Sequence, residues 1–577
     1  MIRLHRFLTA PTAKMSNAPI IFWLSLSLTF AVIYGLPMLQ RAFSSDYVVA
    51  SDARQFVFWM GRFSDSTLFP NDLIADYFQS VTPWGYTAFY QLLDRVGIEP
   101  LLLHKLLPIV LGVISTTYCF GVCMQILPVP LAGFIATVLL NQNLWMDARI
   151  VCAVPRSFAY PLFLAFLYYL LRRSLFGVGI AIALLGLFYP QCVFICAGIL
   201  LLQVFRWEHW QPRLSQNPRD YWFCGISLGV AFLVMLPYAL QVSDYEPVIS
   251  VAEARTLPEF SATGRTRFFV NSIEYWLFGE RSGIFSPLSI LCGFGVLLPM
   301  LLRNPWRFPL AKQVNSNVIV LAQTVIASLV MFFAAHALLF KLHLPNRYTH
   351  HSLVILMAIA AGIALTLLLD TVWQRSDELA KKTGKLANSR NAWGATVLLG
   401  VFLVFYPGIL LLLGIEFPHD TYKVGDVPQL YEFFQQQPKD TLIASLADEA
   451  NKIPTFSQRS ILVGRKYAIP YHMGYYRQFR QRTLELIHAQ YTPDLAEVKE
   501  FIKKYGVDFW MLETEAFNSD YLPEDDWIQQ YQPAAAEAQR NLERGAIPAL
   551  ATVIENCSVL RADHFVVLEA KCILNQP

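Results

Sequence analysis

Hydrophobic residues in this chain come in long blocks, not in the spaced stripes of a water-soluble helix or the alternation of a half-buried strand. Runs able to cross, or nearly cross, a hydrocarbon layer of about 30 Å occupy 20–38, 101–127, 129–145, 157–171, 175–189, 191–206, 221–241, 285–302, 317–341, 351–373 and 393–415. They predict an α-helical polytopic membrane protein with about eleven transmembrane helices. The block from 175 to 206 could be one long helix, but Tyr189-Pro190-Gln191 interrupts it. A proline with no N–H beside a polar residue favours two short helices meeting at a turn, and that split sets the side on which every later loop falls.

After 415 the pattern changes. The tail, 416–577, reads as a soluble α/β domain appended to the membrane domain 1–415. Short apolar strands are expected at 442–446, 460–464 and 507–512, with helices at 428–436, 475–490 and 495–505 between them, an alternation that favours a mostly parallel sheet. Gly506 should end the last of these helices. A β-hairpin is expected from 549–560 and 564–573, and an outside location would permit a disulfide between Cys557 and Cys572, which flank it. The tail carries no glycine-rich phosphate loop, zinc spacing or nucleophile elbow, so binding or shielding is expected of it and not catalysis.

Composition narrows the class. With 55% hydrophobic and only 15% charged residues among 577, the chain is neither a soluble multidomain protein nor a disordered one. Its net charge of +3 is spread over short loops and implies no nucleic-acid surface. Basic loops (Arg3, Arg6, Lys14; Arg172, Arg173; Arg206, Arg213, Arg219; Arg303, Arg307, Lys312; Arg375, Lys381, Lys382, Lys385, Arg390) all fall on one side, which the positive-inside rule makes cytoplasmic. The other side receives the first outer loop 41–100, the Tyr189 turn, the outer loop 242–284, the 341–351 connection and the tail. A cytoplasmic N-terminus and a periplasmic or extracellular tail follow, and a bacterial inner (plasma) membrane is the expected location. The first apolar run lacks a small-residue cleavage site and is read as a span, not a signal peptide. Seven cysteines lie in or beside apolar runs, as small hydrophobes do.

The candidate chemistry gathers on the outer side. Asp52 follows the first span directly, where desolvation makes an idle carboxylate costly and a working one useful. Beyond it, Asp65, Asp72 and Asp76 alternate with aromatics up to Pro83-Trp84-Gly85-Tyr86, a pattern suited to helices lying flat at the interface. Arg149, Arg156, Arg265, Arg267, Arg281 and Arg347 lie on a side that the positive-inside rule disfavours for bases, so they ask for an anionic partner such as a phosphate at headgroup depth. His350 and His351 could donate hydrogen bonds to the same group. Asp52, Asp72 and a histidine could ligate Mg²⁺ or Mn²⁺, although no spacing specifies a metal.

At these residues the chain resembles the GT-C superfamily of integral-membrane glycosyltransferases, which includes protein mannosyltransferases, aminoarabinose transferases and oligosaccharyltransferase catalytic subunits. The likeness is architectural over the whole chain. It is motif-level at Ser51 to Asp76, Val154-Pro155-Arg156-Ser157-Phe158, Pro345-Asn346-Arg347-Tyr348 and, in the tail, Ile453-Pro454-Thr455-Phe456-Ser457-Gln458-Arg459 and Tyr505-Gly506-Val507-Asp508-Phe509. It implies a catalytic aspartate at Asp52, a polyprenyl-phosphate or polyprenyl-diphosphate sugar donor lying in membrane lipid, and an external soluble domain. One departure is visible: the acidic pair frequent at the first-loop site is here Asp52 followed by Ala53 and Arg54, which puts metal use in doubt more than the role of base. The expectation is inverting hexosyl or pentosyl transfer to an acceptor on the outer face. Asp52 would be the catalytic base, Arg347 with Arg156 or His350 would hold the donor phosphate, and Asp72 and Asp76 would be acceptor or loop acids. A polysaccharide ligase or polymerase would shift the central work to a histidine or arginine. A lipid-linked sugar transporter or flippase would bury ionisable residues mid-span and show a paired repeat.

Overall fold

The computed structural model describes residues 2–12, 17–208, 211–240, 243–383, 389–413 and 421–577. Lys14, Lys385 and the 415/416 boundary lie outside these residues. Every apolar run coincides with helix: Ala18–Ala42, Pro100–Ile126, Pro130–Met146, Ala159–Leu171, Leu175–Phe188, Gln191–Gln203, Pro218–Leu240, Ile290–Leu297 continuing as Leu298–Arg303, Ile319–Ala337, His350–Thr383 and Ser389–Leu412. Among the described residues six helices are long and apolar enough to cross a membrane, and these make the chain an integral membrane protein. The other helices are shorter or interrupted, so helix length does not fix the expected count of about eleven crossings. The break at Tyr189-Pro190 separates Leu175–Phe188 from Gln191–Gln203, as the missing proline N–H requires.

Helix His350–Thr383 is the axis of the bundle, packed against Pro130–Met146 and Ile290–Leu297. Pro130–Met146 is apolar nearly all round and buried along its length, the pattern of a helix enclosed by others. Where these two helices cross, Gly362 lets the backbones approach: a Cβ there would lie 2.7 Å from Ala136 Cβ and 2.8 Å from Ala132 O.

Nine strands occur among the described residues, in chain order β1 (Val48–Ala50), β2 (Phe205–Glu208), β3 (Gln211–Leu214), β4 (Tyr422–Val424), β5 (Leu442–Ala444), β6 (Ser460–Ile461), β7 (Phe509–Glu513), β8 (Ser558–Ala562) and β9 (Phe565–Glu569). Five form one sheet in the order β6-β5-β7-β9-β8, with β5 parallel to β6 and β7, and β9 antiparallel to β7 and β8. Helices Pro428–Gln435, Met473–Tyr491 and Leu495–Tyr505 accompany it. Gly506 closes the last with φ 68°, a left-handed conformation that glycine adopts without steric cost.

The expected hairpin is corrected in part. Only β8 and β9 pair, while Ala549–Cys557 and Ala570–Asn575 are helices. Ala549, Leu550, Val553 and Cys557 are the buried positions, and their spacing is helical and not alternating. Cys557 and Cys572 are disulfide-bonded, with Cα atoms 5.4 Å apart.

Several contacts fasten this sheet region to the helical bundle. Strand β1, at the start of the first loop, pairs antiparallel with β4, with Val48 opposite Val424 and Ala50 opposite Tyr422. The 242–284 segment also docks on it: Ile249 N donates to Tyr471 O at 3.0 Å, Met473 N to Pro247 O at 2.8 Å and Gly474 N to Tyr245 O at 3.0 Å. Buried Glu259 accepts from Tyr476 Oη and lies 3.3 Å from Arg480 Nη1. Three segments remote in sequence therefore meet at one end of the bundle.

Candidate active site

At that end lies a cavity of about 1280 Å³. Asp52, Arg156, Arg265 and Arg347 all line it, drawn from the first loop, the turn before Ala159–Leu171, the 242–284 segment and the turn before His350–Thr383. Its lining includes apolar side chains (Leu187, Leu233, Val234, Pro237 and Trp84) and polar ones (Gln55, Gln191, Tyr471 and His472).

Asp52 is placed by β1, which ends two residues before it and is pinned to β4. Both carboxylate oxygens are engaged: Oδ2 lies 2.7 Å from Arg156 Nη2 and Oδ1 2.9 Å from Lys466 Nζ. Its side chain is 23% exposed, and it lines the cavity. Burial pushes the carboxyl pKa up, but Arg156 and then Lys466 outweigh that cost and hold it well below the usual carboxylate range. Lys466 is itself buried, which lowers its pKa, while Asp52 opposes the shift. Its backbone is gripped from both sides: Gln55 Nε2 donates to Lys466 O at 2.7 Å, and Lys466 N donates to Asn451 Oδ1 at 2.8 Å.

The arginines differ sharply in partnership. Arg149 is satisfied by Asp147 Oδ2 and Ser286 Oγ, each at 2.5 Å. Arg281 lies 3.7 Å from Glu280 Oε2, and Arg267 rests over the Tyr275 ring at 5.0 Å. Arg265 and Arg347 have no carboxylate within ion-pair distance among the described residues. Burial and the neighbouring Arg281 press the pKa of Arg265 below its ordinary value, while the Asp52 carboxylate opposes the shift. His343, also in the wall, is pushed down to about 3 by burial and then by Arg347, and is therefore neutral. The buried Gln191 Oε1 has no hydrogen-bond partner among the described residues.

The other expected residues sit elsewhere. His350 Nε2 donates to Gly283 O at 3.1 Å and is absent from the cavity wall, so it helps hold the turn carrying Arg347. His351 is hydrogen-bonded to Tyr160 and Tyr189 at 2.8 and 3.2 Å. Asp72 caps helix Leu73–Val81, accepting from Ile74 N at 2.8 Å and Ala75 N at 3.0 Å; burial raises its pKa, and those bonds oppose the rise. Asp76 pairs with Arg62 at 2.8 Å. Asp72 and Asp76 thus organise the first loop outside the cavity wall. A donor set for Mg²⁺ or Mn²⁺ is not assembled either. Both oxygens of Asp52 meet cations, Asp72 is committed to a cap, and among the described residues no group of three His, Cys, Asp or Glu could hold a metal.

Sequence reasoning missed Lys466, Gln55 and Gln191. Lys466 stands 414 positions from Asp52 in a segment without a catalytic motif, and only pairing in three dimensions marks it.

No protein-family model matches the chain, and no curated protein matches it in sequence. Solved structures match in fold. The oligosaccharyltransferase of Archaeoglobus fulgidus, in its apo form, is 12% identical with a TM-score of 0.51, over 88% of this chain and 72% of the other. The same organism's AglB oligosaccharyltransferase in complex with an inhibitory peptide and a dolichol-phosphate gives 12% and 0.50 over the same shares. ArnT of Cupriavidus metallidurans bound to undecaprenyl phosphate is 12% identical with a TM-score of 0.43, over 96% of this chain and 99% of the other. The chain therefore shares the fold of the archaeal oligosaccharyltransferase, a GT-C glycosyltransferase.

Proposed function

Starting from that shared fold, we propose that the chain transfers a sugar from a polyprenyl-phosphate-linked donor to an acceptor hydroxyl at the outer face of its membrane. One observation carries the reading: a single cavity is lined by apolar helical side chains, by two guanidiniums without a carboxylate at ion-pair distance among the described residues, and by a fixed carboxylate. An amphiphile with an isoprenoid chain and a phosphate satisfies the apolar and the cationic lining at once. The fold relatives include structures bound to dolichol-phosphate and undecaprenyl phosphate, which fits that class of ligand.

In this reading the isoprenoid chain lies along Leu187, Leu233, Val234 and Pro237, and Arg347 and Arg265 hold the phosphate. Gln191 Oε1 accepts from a sugar hydroxyl. The acceptor oxygen attacks the anomeric carbon from the face opposite the phosphate, the carbon–oxygen bond to phosphate breaks, and the configuration inverts. Negative charge gathers on the leaving phosphate, where fixed guanidiniums stabilise it without reorganising. With two cations beside it Asp52 is a weak base. It first orients the acceptor hydroxyl and takes its proton late, once the oxygen has begun to bond to carbon and has become acidic. The sheet region closes the cavity from the far side. His350 does not line the cavity, which weighs against only the histidine form of the ligase or polymerase alternative.

The test is sugar transfer in membranes supplied with radiolabelled polyprenyl-phosphate sugars. Wild-type protein should consume donor and release polyprenyl phosphate, and Asp52→Asn should not. Equal donor consumption by both would end the proposal.

A further inference from the structure

A carboxylate in a glycosyl-transfer site needs positive charge nearby, both to stay ionised away from water and to balance the incoming phosphate. Divalent metals supply such charge through carboxylate and other oxygen ligands. Here the oxygens of Asp52 are already engaged, one by Arg156 at 2.7 Å and the other by Lys466 at 2.9 Å. Lys466 comes from the sheet region, not the helical bundle. Its Nζ also lies 3.2 Å from Ser51 Oγ, and its backbone is held by Gln55 and Asn451. The flexible side chain is 10% exposed, so it is fixed and mostly withdrawn from solvent. That is more than a surface ion pair would need.

We infer that Lys466 is the resident cation of this site: a positioning residue that fixes Asp52 and takes the place at its carboxylate that a divalent ion would otherwise occupy. The segment after β6 is therefore part of the site and not only its roof. The inference rests on the sugar-transfer reading for its effect on turnover alone, because the pairing itself can be measured without any substrate. The charged and titratable groups facing Asp52 are Arg156, Lys466 and, farther off, Arg265, with the Cys152 thiol alongside.

The experiment uses the purified full-length protein. Water-soluble carbodiimide couples to protonated carboxyls, so labelling of Asp52, read by peptide mass spectrometry across pH, reports its ionisation. Lys466→Gln should raise the midpoint by about 1–3 pH units and Lys466→Arg should restore most of it. Reciprocally, acetic anhydride should acetylate Lys466 slowly in wild type and at least several-fold faster in Asp52→Asn. Mn²⁺ titrated into wild type and followed by electron paramagnetic resonance should show no stoichiometric site that Asp52→Asn removes. Sugar transfer should fall roughly 10–100-fold in Lys466→Gln, be partly rescued by Lys466→Arg, and be insensitive to EDTA in wild type. An unmoved Asp52 midpoint in Lys466→Gln, or a tight Mn²⁺ site lost in Asp52→Asn, overturns the inference. Normal labelling behaviour with no transfer by wild type would instead sink the functional reading and leave the role of Lys466 standing.

Discussion

Two poles of one cavity handle charge in opposite ways. Around Asp52 the carboxylate is fully engaged: it meets two cations within 3 Å, and the backbones of Asp52 and Lys466 are tied by β1–β4 pairing and by Gln55. Arg347 lines the same space with no carboxylate at ion-pair distance among the described residues. A paired, pinned charge is a positioned tool, whereas an unpaired one in a confined space is half of an interaction whose other half arrives with a ligand. On the proposed function, the protein would pre-organise Asp52 and leave Arg347 to be neutralised by the donor phosphate.

The sharpest way to break this comparison is Asp52→Asn. It keeps the shape of the side chain and removes the charge, and transfer should fall by about 10²–10⁴-fold with polyprenyl-phosphate binding retained, measured by turnover and by ligand titration. The matching change at the other pole, Arg347→Ala, should weaken binding of the polyprenyl-phosphate donor about 10–100-fold while the response to acceptor concentration stays close to wild type. Equal effects on both substrates would erase the distinction between the poles.

The pH profile sharpens it further. Although burial raises it, the Asp52 carboxyl is held far below the unfolded value of about 4 by Arg156 and Lys466. A depressed folded pKa contributes stability above the unfolded value that is lost only as pH falls through the folded one. Transfer should therefore show no acid limb from Asp52 between about pH 5 and 7, and a limb in that window that vanished in Asp52→Asn would contradict the pairing.

Smaller effects belong to the loop acids, which the structure places in scaffolding positions. Asp72→Ala removes the cap of Leu73–Val81 and should cost about 1 kcal/mol of stability, seen as a lower melting temperature. Asp76→Asn breaks a partly exposed pair with Arg62 and should change stability by less than about 1 kcal/mol, with transfer unaltered.

What was legible from residues and what was not follows one line. The apolar blocks announced the helices because a helix in lipid must satisfy its own backbone and bury no charge, a local requirement written in consecutive residues. The break at Tyr189-Pro190, the helix end at Gly506 and the strands near 442, 460 and 509 were legible for the same local reason. Asp52, Arg156 and Arg347 could be singled out because charge beside an apolar run is costly wherever the rest of the chain goes. The segment at 549–557 was misread as strand because a short apolar stretch fits either period until its partner is known.

The sequence by itself therefore determined that the chain is a membrane protein built largely of apolar helices, and which charges were worth explaining. Only the tertiary structure decided which of those charges share a cavity, that Asp52 is shared between Arg156 and Lys466, and that Asp72, Asp76 and His350 are spent on holding turns and helices. Pairing is decided by distance in space, and residues 414 apart in the chain carry no local trace of lying 2.9 Å apart in the fold.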